Sequence, residues 1–212
     1  VSPTTGYGMT EVCGLISGIG AQFFVDRPAS VGLPVPTLDA KCVDAQGNTL
    51  AAGEIGELCV RGSPVIKGYL NRPEATAETI VDGWLHTGDI AYIDEDGFIY
   101  LVDRAKDMVL RGGENVYCAE VENTLFSHDE VMECVVFAVP DERLGEEVGA
   151  AIYAKPGSTV TADDMRVHCK ALLASYKIPR YIWFVSEPLP RNASGKFVKA
   201  QVKEALALED AS

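Results

Sequence analysis

The sequence predicts an α+β chain in two parts: a β-rich part over residues 1–105, a small barrel or sandwich, and then a small α+β domain over 106–212. Three observations carry this. Residues 1–104 are dense in short, partly apolar runs bounded by Gly, Pro, Asn and Asp. Beyond them, helix-spaced apolar residues alternate with strand-like runs. The composition is that of an ordinary globular chain, with 212 residues, 47% hydrophobic and 23% charged. That length suits one large domain or two small ones and buries a real core.

In the first part, Ala40–Val43 and Gly56–Arg61 read as strands. Pro73 to Ile80 reads as a short helix with proline in its first turn, where a missing N–H costs nothing. Ile90–Asp94 and Phe98–Asp103 flank Asp96-Gly97, a hairpin signal, because a tight turn needs positive φ and glycine supplies it. In the second part, Ala119–Phe126 has helical spacing through Val121 and Leu125. Glu133–Val139, Val148–Ala154 and Tyr181–Val185 read as strands. Thr161 caps a helix running to about Leu173. A last helix is expected over Lys196–Leu208, with Val198, Val202 and Leu206 on one face.

The formal net charge is −13, from 18 basic and 31 acidic side chains. Nucleic acid and anionic lipid are therefore disfavoured partners. No apolar run reaches the ~18 residues of a membrane span. Six cysteines, with no C-x-x-C pair, read as small buried hydrophobes in a reducing, cytoplasmic compartment, and not as a zinc site. The chain opens on Val1 without a signal-peptide pattern, and is read as the C-terminal part of a longer protein. Whether it forms a homo-oligomer stays open. Between 166 and 203 stand Arg166, Lys170, Lys177, Arg180, Arg191, Lys196, Lys199 and Lys203 with a single acid, Glu187. Such a tract is either a face that meets an anion or a solvated helix face.

Five segments could carry chemistry. In Thr5-Gly6-Tyr7-Gly8-Met9-Thr10-Glu11, glycines around an aromatic admit a flat ligand, Thr10 offers a hydroxyl to a phosphate, and Glu11 offers a hard oxygen to magnesium. In His86-Thr87-Gly88-Asp89, the carboxylate could accept from both ribose hydroxyls. Leu101-Val102-Asp103-Arg104-Ala105-Lys106-Asp107 ends a strand in dense charge. Gly112-Gly113-Glu114-Asn115 is an unhindered loop or a hairpin turn. Pro190-Arg191-Asn192-Ala193-Ser194-Gly195-Lys196 places a lysine beyond a loop glycine, where a compact positive charge could reach an anionic centre. Each segment alone reads more readily as a turn or a surface cluster.

Taken in order, these segments resemble the adenylate-forming superfamily of acyl- and aryl-CoA synthetases, peptide-synthetase adenylation domains and beetle luciferases. The pieces are Y-G-M-T-E at 7–11, T-G-D at 87–89, D-E-D-G-F-I-Y-L-V-D-R at 94–104, K-D at 106–107, G-G-E-N-V-Y at 112–117 and P-x-x-x-x-G-K at 190–196. The resemblance implies that 1–105 is the β-rich end of a large AMP-binding domain with a distorted barrel, and 106–212 the small mobile domain. It implies an AMP-forming acid–CoA ligase acting on a fatty or related acid, with ATP, Mg²⁺ and coenzyme A. Tyr7 and Gly8 would line the adenine with Leu101 nearby, Met9 would be a further nucleotide contact, Thr10 would touch phosphate, and Glu11 would hold magnesium. Asp89 and Arg104 would bind the ribose, and Asn115 falls where some relatives contact phosphate. Lys106 would be the hinge, Gly112 and Gly113 would border the coenzyme A path, and Lys196 would serve the adenylation step. The superfamily's Ser/Thr/Gly-rich phosphate loop is absent from these residues, so this chain alone is not expected to complete adenylation. Two other readings of the same residues are an adenylation domain that loads a carrier protein and a non-catalytic nucleotide-binding remnant.

Overall fold

The computed structural model describes residues 3–193 and 195–206. It divides into two compact units, Val1–Lys106 and Asp107–Ser212. The mixed, sheet-rich α+β class read from the sequence is the one the chain adopts.

The first unit holds two antiparallel sheets. β1 (Thr4–Tyr7), β2 (Ser17–Gly20) and β3 (Leu33–Pro34) form the smaller one. In the larger, β4 (Leu38–Val43) pairs with β5 (Gly56–Gly62) and β5 with β7 (Trp84–Ile93). The long β7 also carries β6 (Ile80–Val81) and β8 (Ile99–Arg104). The turn between β7 and β8 is the expected one, with Gly97 at φ 85° and its N–H bonded to the Asp94 carbonyl at 3.0 Å. A bridge between Gly32 and Ile99 links β8 to the chain leading into β3. Val12, Ile16, Leu38, Leu58, Val60, Leu85 and Ile99 form the core of this unit. Two short helices, α1 (Ala21–Asp26) and α2 (Pro73–Thr79), lie outside it, and neither buries a residue completely. Only α2, with its proline, was legible in the sequence.

The register of β7 is interrupted where it matters most. Against β5 it passes from Cys59↔His86 to Glu57↔Ile90, so Leu58 alone faces Thr87, Gly88 and Asp89. Against β8 it passes from Ile90↔Asp103 to Ala91↔Leu101, leaving Val102 as the extra residue. Bulges of this kind re-aim side chains.

In the second unit, β9 (Val109–Arg111) and β10 (Glu114–Val116) make a hairpin. Its turn residues, Gly112 and Gly113, sit at φ 59° and 91°, both positive as a two-residue hairpin turn requires. The long strands β11 (Val131–Asp141) and β12 (Gly145–Ala154) follow, joined by α3 (Cys118–Phe126) to that hairpin. α4 (Ala162–Leu172) then supplies the crossover that a parallel pairing needs, and β13 (Tyr181–Val185) runs parallel to β12. Thr161 and Asp164 close a reciprocal capping box at the start of α4. The sheet is covered on both faces. Val136, Val148, Ala150 and Ile152 join Val121 and Leu125 of α3 and Met165 of α4. Val135, Phe137, Val139 and Ala151 join Leu189 and Val202. Double-sided burial explains why β11 alternates only weakly in sequence.

The last helix, α5, is shorter than expected, running Lys199–Ala205. Phe197 instead bridges back to Arg191, and Val198 caps the helix. Val202 is buried, as read. Ala207 and Leu208 lie outside the described residues. No helix among the described residues is long and apolar enough to cross a membrane.

Cys42, Cys59, Cys118, Cys134 and Cys169 are buried and Cys13 is exposed. Burial pushes the Cys42 and Cys169 thiols up to about 11, and the Cys59 and Cys134 thiols up to about 12. An acid held neutral by the fold ionises first in the unfolded chain. These thiols therefore favour the folded state at neutral pH, and that contribution fades as the pH rises from the ordinary thiol value toward 11–12. The urea midpoint should fall steadily between pH 8.5 and pH 11. A midpoint that holds level across that range would contradict the burial of these thiols.

Candidate active site

Tyr7, at the end of β1, meets Asp89 of the β7 bulge and Arg104 at the end of β8. The Tyr7 hydroxyl donates to Asp89 Oδ2, and Arg104 Nε lies 3.2 Å from Asp89 Oδ1. Asp89 is only 9% exposed, yet both its oxygens have donors. Burial first, and then the Asp89 carboxylate, drive the Tyr7 hydroxyl well above the ordinary phenol value, so it stays protonated and donates. A carboxylate has about four acceptor positions. Tyr7 and Arg104 take one on each oxygen and leave one on each, the pattern a vicinal diol needs. Val102, Asp103 and the half-exposed Leu101 complete a pocket of about 280 Å³ around these three residues.

The chain after Tyr7 turns sharply. The Ile16 N–H bonds back to the Tyr7 carbonyl at 2.8 Å, and a 3-10 turn over Thr10–Val12 follows. Gly8 is required there, because a Cβ on it would stand 1.6 Å from the Gly14 carbonyl oxygen. Met9 packs against the core and Thr10 is exposed. Glu11 Oε1 accepts from the Tyr69 hydroxyl at 2.9 Å, and the Glu11 carbonyl accepts the Ile66 N–H. A half-exposed carboxylate anchored through one oxygen suits a hard divalent cation on the other.

In the second unit, Gly112 and Gly113 form the β9–β10 turn, and the Gly112 N–H bonds the Leu144 carbonyl at 2.9 Å. Arg111 grips Glu147 with two hydrogen bonds, 2.7 and 2.8 Å, although Glu147 is 1% exposed. This buried pair fixes the glycine turn beside β12. Asn115 is exposed on β10. Lys196 is exposed on a loop held by Asn192, whose Oδ1 accepts the Lys196 N–H at 3.0 Å, and by Arg191, which bonds the Gly195 carbonyl at 2.8 Å. Lys106 is exposed in a 3-10 turn at the boundary between the two units.

The basic tract is mostly neutralised from elsewhere in the second unit. Arg166 pairs with Asp163, Lys177 with Glu120, Arg180 with Asp141 and Glu147, Arg191 with Glu133, and Lys199 with Glu122. The local charge excess is therefore no broad anion-binding face, because a count along the chain cannot see acids that strand pairing brings alongside. Among the described residues, Lys170, Lys196 and Lys203 are left without an acidic partner.

The structure thus brings Tyr7, Asp89, Leu101 and Arg104 into one pocket, with Gly8, Met9, Thr10 and Glu11 on the turn leaving it. It sets Gly112, Gly113 and Asn115 on one hairpin and Lys196 on a separate loop of the second unit. Sequence reasoning missed Tyr69, Glu147, and the pair of Glu57 with His86. Glu57 Oε2 accepts from His86 Nδ1 at 2.7 Å, with Cys59 Sγ 3.5 Å from the same nitrogen. These three donor atoms lie within 4.8 Å of one another. Two ligands on a tetrahedral zinc at about 2.0 Å would stand about 3.3 Å apart, so the Glu57–His86 contact is a hydrogen bond in its own right. Nothing in the sequence marks two residues 29 apart as partners.

Two family models match the chain. The AMP-binding enzyme model covers residues 3–70, and the AMP-binding enzyme C-terminal domain covers residues 120–196. The chain belongs to the adenylate-forming superfamily of AMP-binding enzymes. It is 44% identical over 198 residues to a 2-succinylbenzoate–CoA ligase of Geobacillus sp., a match covering 93% of this chain and 40% of that protein. It is 43% identical to a long-chain-fatty-acid–CoA ligase of Salmonella typhimurium, covering 94% of this chain and 35% of the relative. Among solved structures, ATP-bound MatB from Rhodopseudomonas palustris superposes with a TM-score of 0.87 at 35% identity, over 95% of this chain and 40% of MatB. The chain therefore spans less than half the length of these relatives.

Replacing Gly8 by alanine drives a methyl into the Gly14 carbonyl, and should destabilise the first unit by about 1–3 kcal/mol. Gly18→Ala is the control, since a Cβ there meets nothing closer than 3.9 Å. Thermal unfolding of both variants checks this. Equal midpoints would show that the turn after Tyr7 is not tightly packed.

Proposed function

We propose that this chain is the nucleotide-binding end of the large domain, together with the small mobile domain, of an AMP-forming acid–CoA ligase. The observation that carries the reading is the buried Asp89 carboxylate. Tyr7 and Arg104 fix its rotamer, and its remaining acceptor positions face a pocket of nucleoside size. That arrangement recognises a ribose diol, and the Tyr7 ring and Leu101 offer apolar surface for the adenine.

The reaction joins a carboxylate to the α-phosphorus of ATP with loss of pyrophosphate, and then passes the acyl group to the thiol of coenzyme A. Its difficulty is the meeting of anions, which fixed positive charge relieves. Lys196 is suited to this. Its ammonium has no acidic partner among the described residues, and its loop is held by Asn192 and Arg191. Glu11 and Thr10 are placed to hold Mg²⁺ and a phosphate oxygen, and magnesium there would offset phosphate charge. Lys106, at the unit boundary, is the proposed hinge. About it, the small domain would present Lys196 for adenylation and the Gly112-Gly113 turn, beside Asn115, for coenzyme A. Rotation of this kind lets one site serve two steps while excluding water. The relatives named above act on an aromatic acid and on long-chain fatty acids. The proposed substrate is accordingly a carboxylic acid with a large apolar part.

The test is acid-dependent AMP release from ATP by the protein of the complete reading frame, with coenzyme A and a panel of aromatic and fatty acids. Lys196→Ala should lower adenylation by at least ~10²-fold, the scale of one electrostatic stabiliser. Thioester formation from preformed acyl-adenylate should survive the same change. Equal loss in both half-reactions would contradict the role given to Lys196. Transfer only to a carrier-bound pantetheine would make the protein a carrier-loading enzyme, and no AMP release with any acid would overturn the ligase reading.

A further inference from the structure

Asp89 is the third residue of the bulge that interrupts β7, so its position depends on whatever holds that bulge. Opposite Leu58, the residues Thr87, Gly88 and Asp89 lose their ladder partners on β5, although Asp89 stays in register with Arg104 of β8, and Gly88 takes φ 71°. Buried or half-buried backbone groups must be paired, and here side chains replace the ladder. The Thr87 hydroxyl donates to the Leu58 carbonyl at 2.8 Å. The Asp89 N–H donates to Thr87 Oγ1 at 3.1 Å. The Gly88 N–H donates to Glu57 Oε1 at 3.1 Å. The other Glu57 oxygen, Oε2, takes the His86 Nδ1 contact at 2.7 Å. A carboxylate only accepts, so the imidazole proton sits on Nδ1 and the ring locks the carboxylate. Glu57 is thus fixed at both oxygens, one toward the strand before the bulge and one toward its apex.

We propose that Glu57, held by His86, is a positioning residue: it staples the Thr87-Gly88-Asp89 bulge and so sets the Asp89 carboxylate for a ribose diol. This rests on the reading of Asp89 as the ribose acceptor. Glu57 does not line the pocket of Tyr7, Asp89 and Arg104, and acts only through Gly88. Without it, the Gly88 N–H is orphaned and the bulge can relax toward a regular strand, which turns Asp89 away.

The experiment is equilibrium binding of AMP and of 2′,3′-dideoxy-AMP to the protein of the complete reading frame and to four variants. In the unmodified protein AMP binds more tightly than the dideoxy nucleotide. Glu57→Ala should weaken AMP about tenfold, the scale of one misaligned hydrogen bond to a charged group, with little change for dideoxy-AMP, so the preference collapses. Glu57→Asp keeps the charge but falls short of Gly88, and should behave as the alanine variant does. Glu57→Gln should retain the preference, because its amide oxygen still accepts from Gly88 and its NH₂ can donate to a His86 tautomer with Nδ1 free. Val60→Ala, a buried neighbour on the same strand, should lower the melting temperature yet leave the preference intact. Preservation of the preference in Glu57→Ala and Glu57→Asp would overturn the proposal, and so would its loss in Val60→Ala. Equal binding of both nucleotides by the unmodified protein would overturn the ribose reading, and the proposal with it.

Discussion

A carboxylate with nine-tenths of its surface hidden must be surrounded by donors, and Asp89 is such a group. Its position and partners come from three places in the chain: the donors Tyr7 from β1 and Arg104 from the end of β8, and the β7 bulge that carries Asp89 itself. The two sheets of the first unit can be seen as the means of bringing those three together. The Gly32–Ile99 bridge ties β8 to the small sheet, and the Ser30 hydroxyl bonds the Ile99 carbonyl at 2.8 Å. The Val102 bulge adjusts the end of β8 so that Arg104 pairs directly with Asp89. Loosening any of these connections would leave a buried charge without compensation.

The second unit solves a different problem with the same means. It holds a glycine turn and a lysine loop in fixed shapes while leaving both open to solvent. Arg111 and the nearly inaccessible Glu147 lock the turn from beneath, and Arg191 locks the lysine loop to Glu133 on β11. Arg191 also stacks on Phe197, 3.8 Å from its ring centroid. Pairing Arg191, Arg180 and Lys199 with acids leaves Lys196 on this loop without an acidic partner among the described residues.

Much of this was legible in the sequence because local chemistry dictates it. The Asp96-Gly97 turn, the Thr161 cap and the proline at the start of α2 follow from single residues and their backbone preferences. Tyr7, Asp89 and Arg104 were named from motif order, and the fold places them in one pocket. The rest required register. Glu57 and His86 meet only because β5 and β7 pair with a slip, and no periodicity encodes a slip. The two readings of the basic tract between 166 and 203 could not be separated for the same reason, since its partners Glu120, Glu122, Glu133, Asp141 and Glu147 are distant in sequence. The last helix begins three residues late because Phe197 is held against Arg191 before the chain can coil.

The most direct measurement is a crystal structure of the protein with AMP bound. We expect both ribose hydroxyls within about 3.2 Å of the Asp89 oxygens, Arg104 beside them, and the adenine against Tyr7. AMP bound elsewhere, or with its ribose turned away from Asp89, would contradict the assignment on which the whole functional reading stands.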